Sequence, residues 1–161
     1  MRPPSPARPV HDSLVEMTEI VLPEDTNPRG SIFGGRVLAL IDKCAAVVAM
    51  RHAQSATLTV ALDSVVFLNQ VLLGNVLLLR GRLNAAFGSS MEVEIEVHAE
   101  DPLTARRTLT TRAFVTMVAV DSGGRPRPVP ALELRDDAER RRAAEAGARR
   151  RARLDTRSGP A

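Results

Sequence analysis

The sequence of 161 residues is poor in aromatic side chains and in cysteine. It has four Phe, no Tyr and no Trp, so the core has to be built from Val, Leu, Ala, Ile and Met. The one cysteine, Cys44, cannot form an internal disulfide, and one Cys with three scattered His does not form a metal-binding pattern. No apolar run approaches the roughly 20 residues of a membrane helix, and the first residues contain no secretory signal. The sequence therefore predicts a cytoplasmic protein with no membrane span and no metal site.

The net charge of +3 is unevenly distributed. From Arg135 onward the chain has nine Arg and five acidic residues, so this part carries +4 and the rest carries −1. Basic tails are typical of proteins that bind nucleic acid. Here, however, the arginines are mixed with Ala and Glu, and the few Phe offer no platform for stacked bases. The composition therefore argues against nucleic acid as a partner and is also compatible with a solvated helix.

Composition divides the chain into three parts. Residues 1–12 are rich in Pro and are predicted to be a disordered leader. Residues 13–130 are predicted to form one domain, and residues 131–161 an Arg-rich C-terminal helix and tail, with the helix at about 136–154.

The pattern of the domain predicts an α+β fold. A first strand at 14–22 is followed by a loop rich in Gly and Pro and by an apolar helix at 36–52 that should be largely buried. Four strands separated by short turns then favour an antiparallel sheet with the helix on one face; they are residues 57–69, 76–87, 91–101 and 107–120. Glu92, Glu94 and Glu96 alternate with apolar residues, which predicts that this face meets solvent or an assembly edge.

Asp42 stands inside the apolar helix segment VLALIDKCAAVVAM. No basic residue shares its side of the helix one turn away, since those positions are Leu38, Ala39, Ala45 and Ala46. From the residues alone, a catalytic carboxylate and a polar residue at the edge of the helix are both open.

Asp42 ends a spaced motif that consists of Asn27, Gly30, Phe33, Gly34, Gly35 and Asp42. Four blocks stand in order along the chain, which are PEDTNPRGSIFGG, RHA after the helix, FGSSMEVEIEVHAEDPLT and LTTRAFVTMVAVD. Through this motif and these blocks, from about residue 14 to 130, the sequence resembles the hotdog-fold acyl-CoA thioesterases, the acyl-CoA hydrolases that include the bacterial YciA-like and the mammalian cytosolic enzymes.

The resemblance implies a hotdog fold, in which a curved antiparallel sheet wraps around one long central helix, here with an extra C-terminal helix. It also implies a homo-oligomer of dimers joined edge to edge, assembled further as a trimer of dimers, with the active site at the dimer interface. The expected activity is hydrolysis of acyl-CoA, with CoA as part of the substrate and no cofactor. A non-catalytic acyl-CoA-binding module is the alternative.

The catalytic candidates are Asn27, Gly34, Gly35 and Asp42. Backbone N–H groups at Gly34 and Gly35 would lie at the start of the helix, where they can polarise a thioester carbonyl. Asp42 is roughly 10–12 Å further along, so it would act in the partner's site, opposite the partner's Gly35. The family arrangement pairs Asn27 of one subunit with Asp42 of the other. Whether Asp42 is a general base or a nucleophile stays open.

The resemblance also implies three contacts for CoA. Backbone groups would line the pantetheine, and arginines of the tail helix would meet the phosphates; these candidates are Val60, Ala61, Leu62, Ser89, Ser90, Met91, Arg140, Arg141 and Arg142. Arg112 is a further phosphate candidate. The simpler interpretation of the strand residues is that they belong to the core of the sheet. The simpler interpretation of the arginines is that they lie on a solvated helix. The sequence departs from the family at Val66 and Gln70, where Asp and Pro are common, and these changes could reshape the acyl pocket.

Overall fold

The structure is a computed structural model that describes residues 6–157. This range contains seven strands and two α-helices. In chain order they are β1 (Arg8–Pro9), β2 (Val15–Ile20), α1 (Gly34–Ala53), β3 (Ala56–Phe67), β4 (Val76–Phe87), β5 (Ser90–Glu100), β6 (Arg107–Val120), β7 (Leu132–Glu133) and α2 (Asp137–Arg157).

Five of the strands form one antiparallel sheet in the order β2-β4-β5-β6-β3. Strands β4, β5 and β6 follow one another along the chain and pair as successive hairpins. β3 pairs with β6 and stands at one edge of the sheet. Its pairing register shifts between Thr59 and Ala61, which leaves Val60 as the extra residue of a bulge. The predicted α+β class with an antiparallel sheet is confirmed.

Helix α1 packs against one face of this sheet through an apolar stripe that recurs every three or four residues. The helix and the sheet approach closely at Gly81 of β4, where a Cβ would lie 2.8 Å from Val48 Cγ2 and 2.9 Å from Cys44 Sγ. Glycine at this position therefore lets the helix and the sheet come together. Burial raises the pKa of the Cys44 thiol to about 11, so the thiol is a neutral core group at pH 7.

Helix α2 covers the opposite face of the sheet, and this corrects the prediction of a wet acidic face. Glu92 is 2% exposed and Glu94 is 8% exposed. The guanidinium of Arg149 meets Glu92 with two hydrogen bonds, Nη2 to Oε1 at 2.7 Å and Nε to Oε2 at 3.1 Å. Alternating glutamates indicate solvent because a lone buried carboxylate is costly. Here, an arginine distant in sequence supplies the missing partner.

The predicted disordered leader also differs from the structure. From Arg8 onward it is ordered, with β1 paired in parallel with β7 and a short 3-10 helix at Val10–Ser13. Arg8 donates from its backbone to Ala131 O at 2.9 Å and from its side chain to two carbonyls at the end of α1. These distant partners order a segment whose composition suggests disorder. Residues 1–5 of the leader and 158–161 of the predicted tail lie outside the described residues.

His52, near the end of α1, is fully buried. Its Nε2 lies 2.9 Å from Pro130 O, which requires the proton on that nitrogen. Burial lowers the pKa of His52 below its ordinary value of 6.5, so the ring is neutral at pH 7.

Neither helix in the described part of the chain is long and apolar enough to cross a membrane.

Candidate active site

Asn27 organises the turn that precedes α1. Its side-chain Oδ1 accepts hydrogen bonds from the backbone N–H of Arg29 at 2.9 Å and of Ser31 at 3.4 Å. Its Nδ2 donates to Ser31 Oγ at 2.9 Å. The turn also needs Gly30, whose φ of +77° disfavours other residues. The structural role of a turn-forming Asn is therefore present, in the loop that leads into α1.

Gly34 and Gly35 are the first two residues of α1, which begins two residues earlier than predicted. Glycine is a poor helix former, so composition placed both residues in the loop. Their N–H groups belong to the first turn, which has no carbonyl partners within the helix. Both residues are exposed, and a Cβ added at Gly35 would meet nothing within 4 Å. A carbonyl oxygen can therefore approach these donors.

Asp42 lies two turns further along α1, half-buried, and faces the edge strand β3. The hydroxyl of Thr59 donates a hydrogen bond of 2.5 Å to Asp42 Oδ1. No cation pairs with Asp42, and its Oδ2 has no hydrogen-bond partner, among the described residues. A salt bridge within the described part of the chain therefore does not explain the carboxylate, and one of its oxygens is free to accept a proton.

Thr59 is a site residue that the sequence did not indicate. It is separated from Asp42 by 17 positions and lies in the strand segment TLTVALD, where threonine is an ordinary β-former. Only the packing of α1 across β3 brings the two side chains together. The hydroxyl also lies 3.4 Å from Met117 Sδ.

Within one protomer, Asp42 and the glycine turn are separated. Asp42 is seven positions after Gly35, which corresponds to about 10 Å along the helix axis. One thioester carbonyl cannot touch both groups at this spacing. Each protomer therefore contains two partial sites. One consists of the N–H donors at the start of α1, and the other is the carboxylate of Asp42.

The two backbone segments proposed for CoA lie near each other on the sheet. Met91 of β5 is opposite Met117 of β6, which is opposite Thr59 of β3. The segments 60–62 and 89–91 are therefore joined through one strand. The side chain of Met91 is buried in the core, so this residue could offer only backbone groups.

Arg140, Arg141 and Arg142 lie on the face of the sheet that is away from Asp42. Arg140 pairs with Asp137 at 2.8 Å, while Arg141 and Arg142 line a polar cavity together with Arg112. Arg112 is already paired with Glu96 at 2.6 Å. One protomer therefore does not bring these arginines to its own carboxylate.

Other arginines of α2 lie closer to the proposed CoA segments. The guanidinium of Arg150 lies 5.1 Å from the ring centroid of Phe87, next to the turn that leads to Ser89. Arg153 pairs with Asp63 on β3. Arginine recurs along the whole of α2, so the sequence alone does not distinguish Arg140–Arg142 from Arg150 and Arg153 as candidates for the CoA phosphates.

Among the described residues, no group of three or more His, Cys, Asp and Glu side chains is placed to hold a metal ion.

An antiparallel sheet wrapped around one long helix is the hotdog fold. The solved structures agree with this assignment. A hexameric acyl-CoA thioesterase in its apo form superposes with a TM-score of 0.92 at 44% identity, covering 97% of this chain and 100% of that one. An acyl-CoA hydrolase from Staphylococcus aureus, solved with butyryl-CoA, CoA and CoA disulfide, superposes with a TM-score of 0.87 at 33% identity, covering 94% and 93%.

The sequence comparisons give the same result. Residues 29–106 match the Thioesterase superfamily. An uncharacterised acyl-CoA thioester hydrolase of Bacillus subtilis is 39% identical over 119 residues, which cover 74% of this chain and 69% of that protein. The mouse cytosolic acyl coenzyme A thioester hydrolase is 32% identical over 81% of this chain but over 35% of its own length. The chain therefore belongs to the thioesterase superfamily, in the family of acyl-CoA thioester hydrolases.

Proposed function

We propose that this protein hydrolyses acyl-CoA thioesters to free CoA and a carboxylic acid. The family supports the reaction. The observation that supports the location of the site is the carboxylate of Asp42, which is held by Thr59 and has no cation beside it among the described residues. The reaction needs water and no metal or further cofactor, since CoA enters as part of the substrate.

The N–H groups of Gly34 and Gly35 polarise the thioester carbonyl. Charge develops on the carbonyl oxygen during attack, and backbone donors fixed in place beforehand stabilise that charge. The positive end of the α1 dipole adds to the same effect. Asn27, at the adjoining turn, orients the water or the thioester.

Asp42 supplies the nucleophilic part of the reaction by one of two routes. As a general base, it takes a proton from water, the hydroxide adds to the carbonyl carbon, and the C–S bond breaks to release CoA thiolate. As a nucleophile, its carboxylate displaces CoA thiolate to form a mixed anhydride, which water then hydrolyses. Either route needs a carboxylate in a fixed orientation, which the hydroxyl of Thr59 provides.

The active site is shared between subunits, with Asn27, Gly34 and Gly35 from one and Asp42 from the other. The separation of about 10 Å along α1 supports this arrangement. The protein is a homo-oligomer, and we propose dimers joined at the β3 edges and assembled as a trimer of dimers. That edge presents apolar side chains which are 39–56% exposed in one protomer and which a partner strand would cover, among them Leu58, Val60 and Leu62.

Three variants of the Staphylococcus aureus enzyme give independent support for the choice of residues. In solved structures of that protein an asparagine, an aspartate or a threonine is replaced by alanine. Asn27, Asp42 and Thr59 are of the same three residue types. We propose that they have equivalent places in the site.

We also propose that Val60–Leu62 and Ser89–Met91 run along the pantetheine through backbone groups. Arginines of α2 then bind the phosphates of CoA. In this proposal, Arg140–Arg142 come from a neighbouring subunit. A cytoplasmic location is proposed on the same family grounds, since the mouse relative is described as cytosolic.

The test is release of free thiol from acyl-CoA by the purified wild-type protein and by Asp42→Asn. The wild type should release CoA from at least one member of a panel of short, medium and long acyl chains. The asparagine variant should keep its oligomer and its CoA affinity while losing most of the turnover. Binding of CoA with no thiol released by the wild type would instead identify a non-catalytic module.

A further inference from the structure

A cavity of about 300 Å³ opens beside the first turn of α1. One wall is Gly34 and Val37 of the helix, and the other wall is the segment after β3 that begins with Phe67 and Leu68 and ends at Val71. Its volume is at the lower end of the range for ligand sites. The cavity is therefore continuous with the N–H donors that the proposed function assigns to the thioester carbonyl.

The ring of Phe67 stands over the helix start. A Cβ built on Gly34 would lie 3.5 Å from Phe67 Cζ, with the two neighbouring ring atoms at 3.9 and 4.0 Å. Phe67 is 52% exposed in one protomer, so half of its surface can contact a ligand or the partner subunit. An acyl group whose carbonyl oxygen is held by Gly34 must therefore pass its first carbons beside this ring.

The deeper part of the cavity is apolar. Val37 is 1% exposed and Val71 is 4% exposed, and both are held by the core. An apolar chain gains about 0.8 kcal/mol for each methylene that leaves water, so this wall favours a hydrocarbon. The polar lining, which includes Thr111 and Gln70, adds no charge to the cavity.

We infer that this cavity holds the acyl chain and that Phe67 excludes substrates which are branched next to the carbonyl. The inference rests on the proposed function. A straight chain presents only hydrogens on its α-carbon, so it can pass alongside the ring. A methyl or an aryl group on that carbon meets the ring edge instead. Phe67 thus acts as a specificity residue for straight acyl chains.

The experiment compares butyryl-CoA with isobutyryl-CoA, which have the same atoms and differ only in the branch. In the wild type, kcat/KM should be larger for the butyryl ester by roughly ten-fold or more, the effect of one misplaced methyl group in an apolar pocket. In Phe67→Ala the ratio should fall to near one. In Phe67→Leu, which keeps an apolar side chain, it should be intermediate.

Leu73→Ala is the matched control. Leu73 is 51% exposed, follows the same segment, and does not line the cavity, so its butyryl to isobutyryl ratio should remain that of the wild type. An equal rate on both esters in the wild type would overturn the inference, as would an unchanged ratio in both Phe67 variants, while the proposed hydrolysis would stand. No thiol from any acyl-CoA would overturn both.

Discussion

At the scale of single residues, the contact between Thr59 and Asp42 decides how the carboxylate can react. The hydroxyl occupies Oδ1 at 2.5 Å, which leaves Oδ2 without a hydrogen-bond partner among the described residues. Without this hydrogen bond the carboxylate would rotate between several positions. Small misplacements of a reacting group can lower a rate by about a hundred-fold.

Thr59→Val keeps the shape of the side chain and removes the hydroxyl. We expect kcat to fall by about 10- to 100-fold with little change in KM, since no contact with CoA is lost. Thr59→Ser keeps the donor and should retain most of the activity. Steady-state kinetics of the two variants check this, and wild-type turnover in Thr59→Val would show that the hydroxyl does not hold the carboxylate for reaction.

A second prediction at this scale concerns glycine. Gly81→Ala would place a methyl group within 3 Å of Val48 and Cys44, so α1 would have to move. We expect a loss of about 1–3 kcal/mol in the free energy of unfolding. Denaturant titration measures it.

Gly147→Ala, inside α2, is the matched control. The nearest atom to an added Cβ is the tip of the Arg151 side chain at 3.5 Å, and Ala is the better helix former. This variant should gain up to about 1 kcal/mol. A destabilised Gly147→Ala or an unaffected Gly81→Ala would contradict the packing described here.

At the scale of elements, α2 is held on the sheet by arginines that meet acidic groups. Arg149 pairs with Glu92, stacks over the Phe114 ring at 3.8 Å, and lies one turn from Arg153, which pairs with Asp63. Three strands of the sheet therefore contact one turn of the helix. This places the Arg-rich half of α2 beside the β3 edge.

Arg149→Ala should cost up to about 3–5 kcal/mol of stability, because Glu92 would be left buried with no cation beside it and with only the hydrogen bond from Asn84 Nδ2. Arg140→Ala removes an arginine from the same helix whose partner, Asp137, is 99% exposed, and should change stability by less than about 0.5 kcal/mol. Thermal unfolding of the two variants gives the comparison. Similar small effects for both would mean that α2 is not anchored through Glu92.

The elements differ in how well the sequence predicts them. Strand β5 alternates apolar and acidic residues, β4 and β6 are long runs bounded by turn residues, and helix α1 has a continuous apolar stripe, so local pattern is enough for all of them. The N-terminal segment is ordered because Arg8 donates hydrogen bonds to Ala131 O and to a carbonyl at the end of α1. The burial of Glu92 depends on Arg149, 57 positions away. The pattern of residues within one segment cannot predict partners that lie far away in the sequence.

The same distinction applies to the candidate site. Asn27, Gly34, Gly35 and Asp42 stand out because polar residues and glycines interrupt an apolar pattern at a family spacing. Thr59 does not stand out, since threonine is common in strands. The role of each residue stays a prediction until the variants are measured.

At the scale of the whole molecule, His52 links the end of α1 to the connector at Pro130 and makes stability depend on pH. Burial lowers the pKa of His52 below 6.5 in the folded protein, so the unfolded chain binds a proton more readily. Stability is therefore full above pH 6.5 and decreases as pH falls below it, by at most about 1.4 kcal/mol per pH unit for this one group.

Unfolding free energies measured between pH 8 and 5 check this prediction. His52→Gln keeps a donor for Pro130 O and has no titrating ring, so its stability should depend less on pH over this range. A pH dependence equal to that of the wild type would assign the effect to other groups.

In the proposed mechanism, each active site takes Asn27 from one subunit and Asp42 from another. Asn27→Ala and Asp42→Ala should each be inactive alone. When the two chains are co-expressed in equal amounts with different tags, half of the dimers are mixed, and each mixed dimer contains one intact site of two. Thiol release should then recover to about a quarter of the wild-type rate, as the symmetry of a two-fold interface requires. Activity no higher than that of either variant alone would show that both residues act within one chain, and would contradict the account.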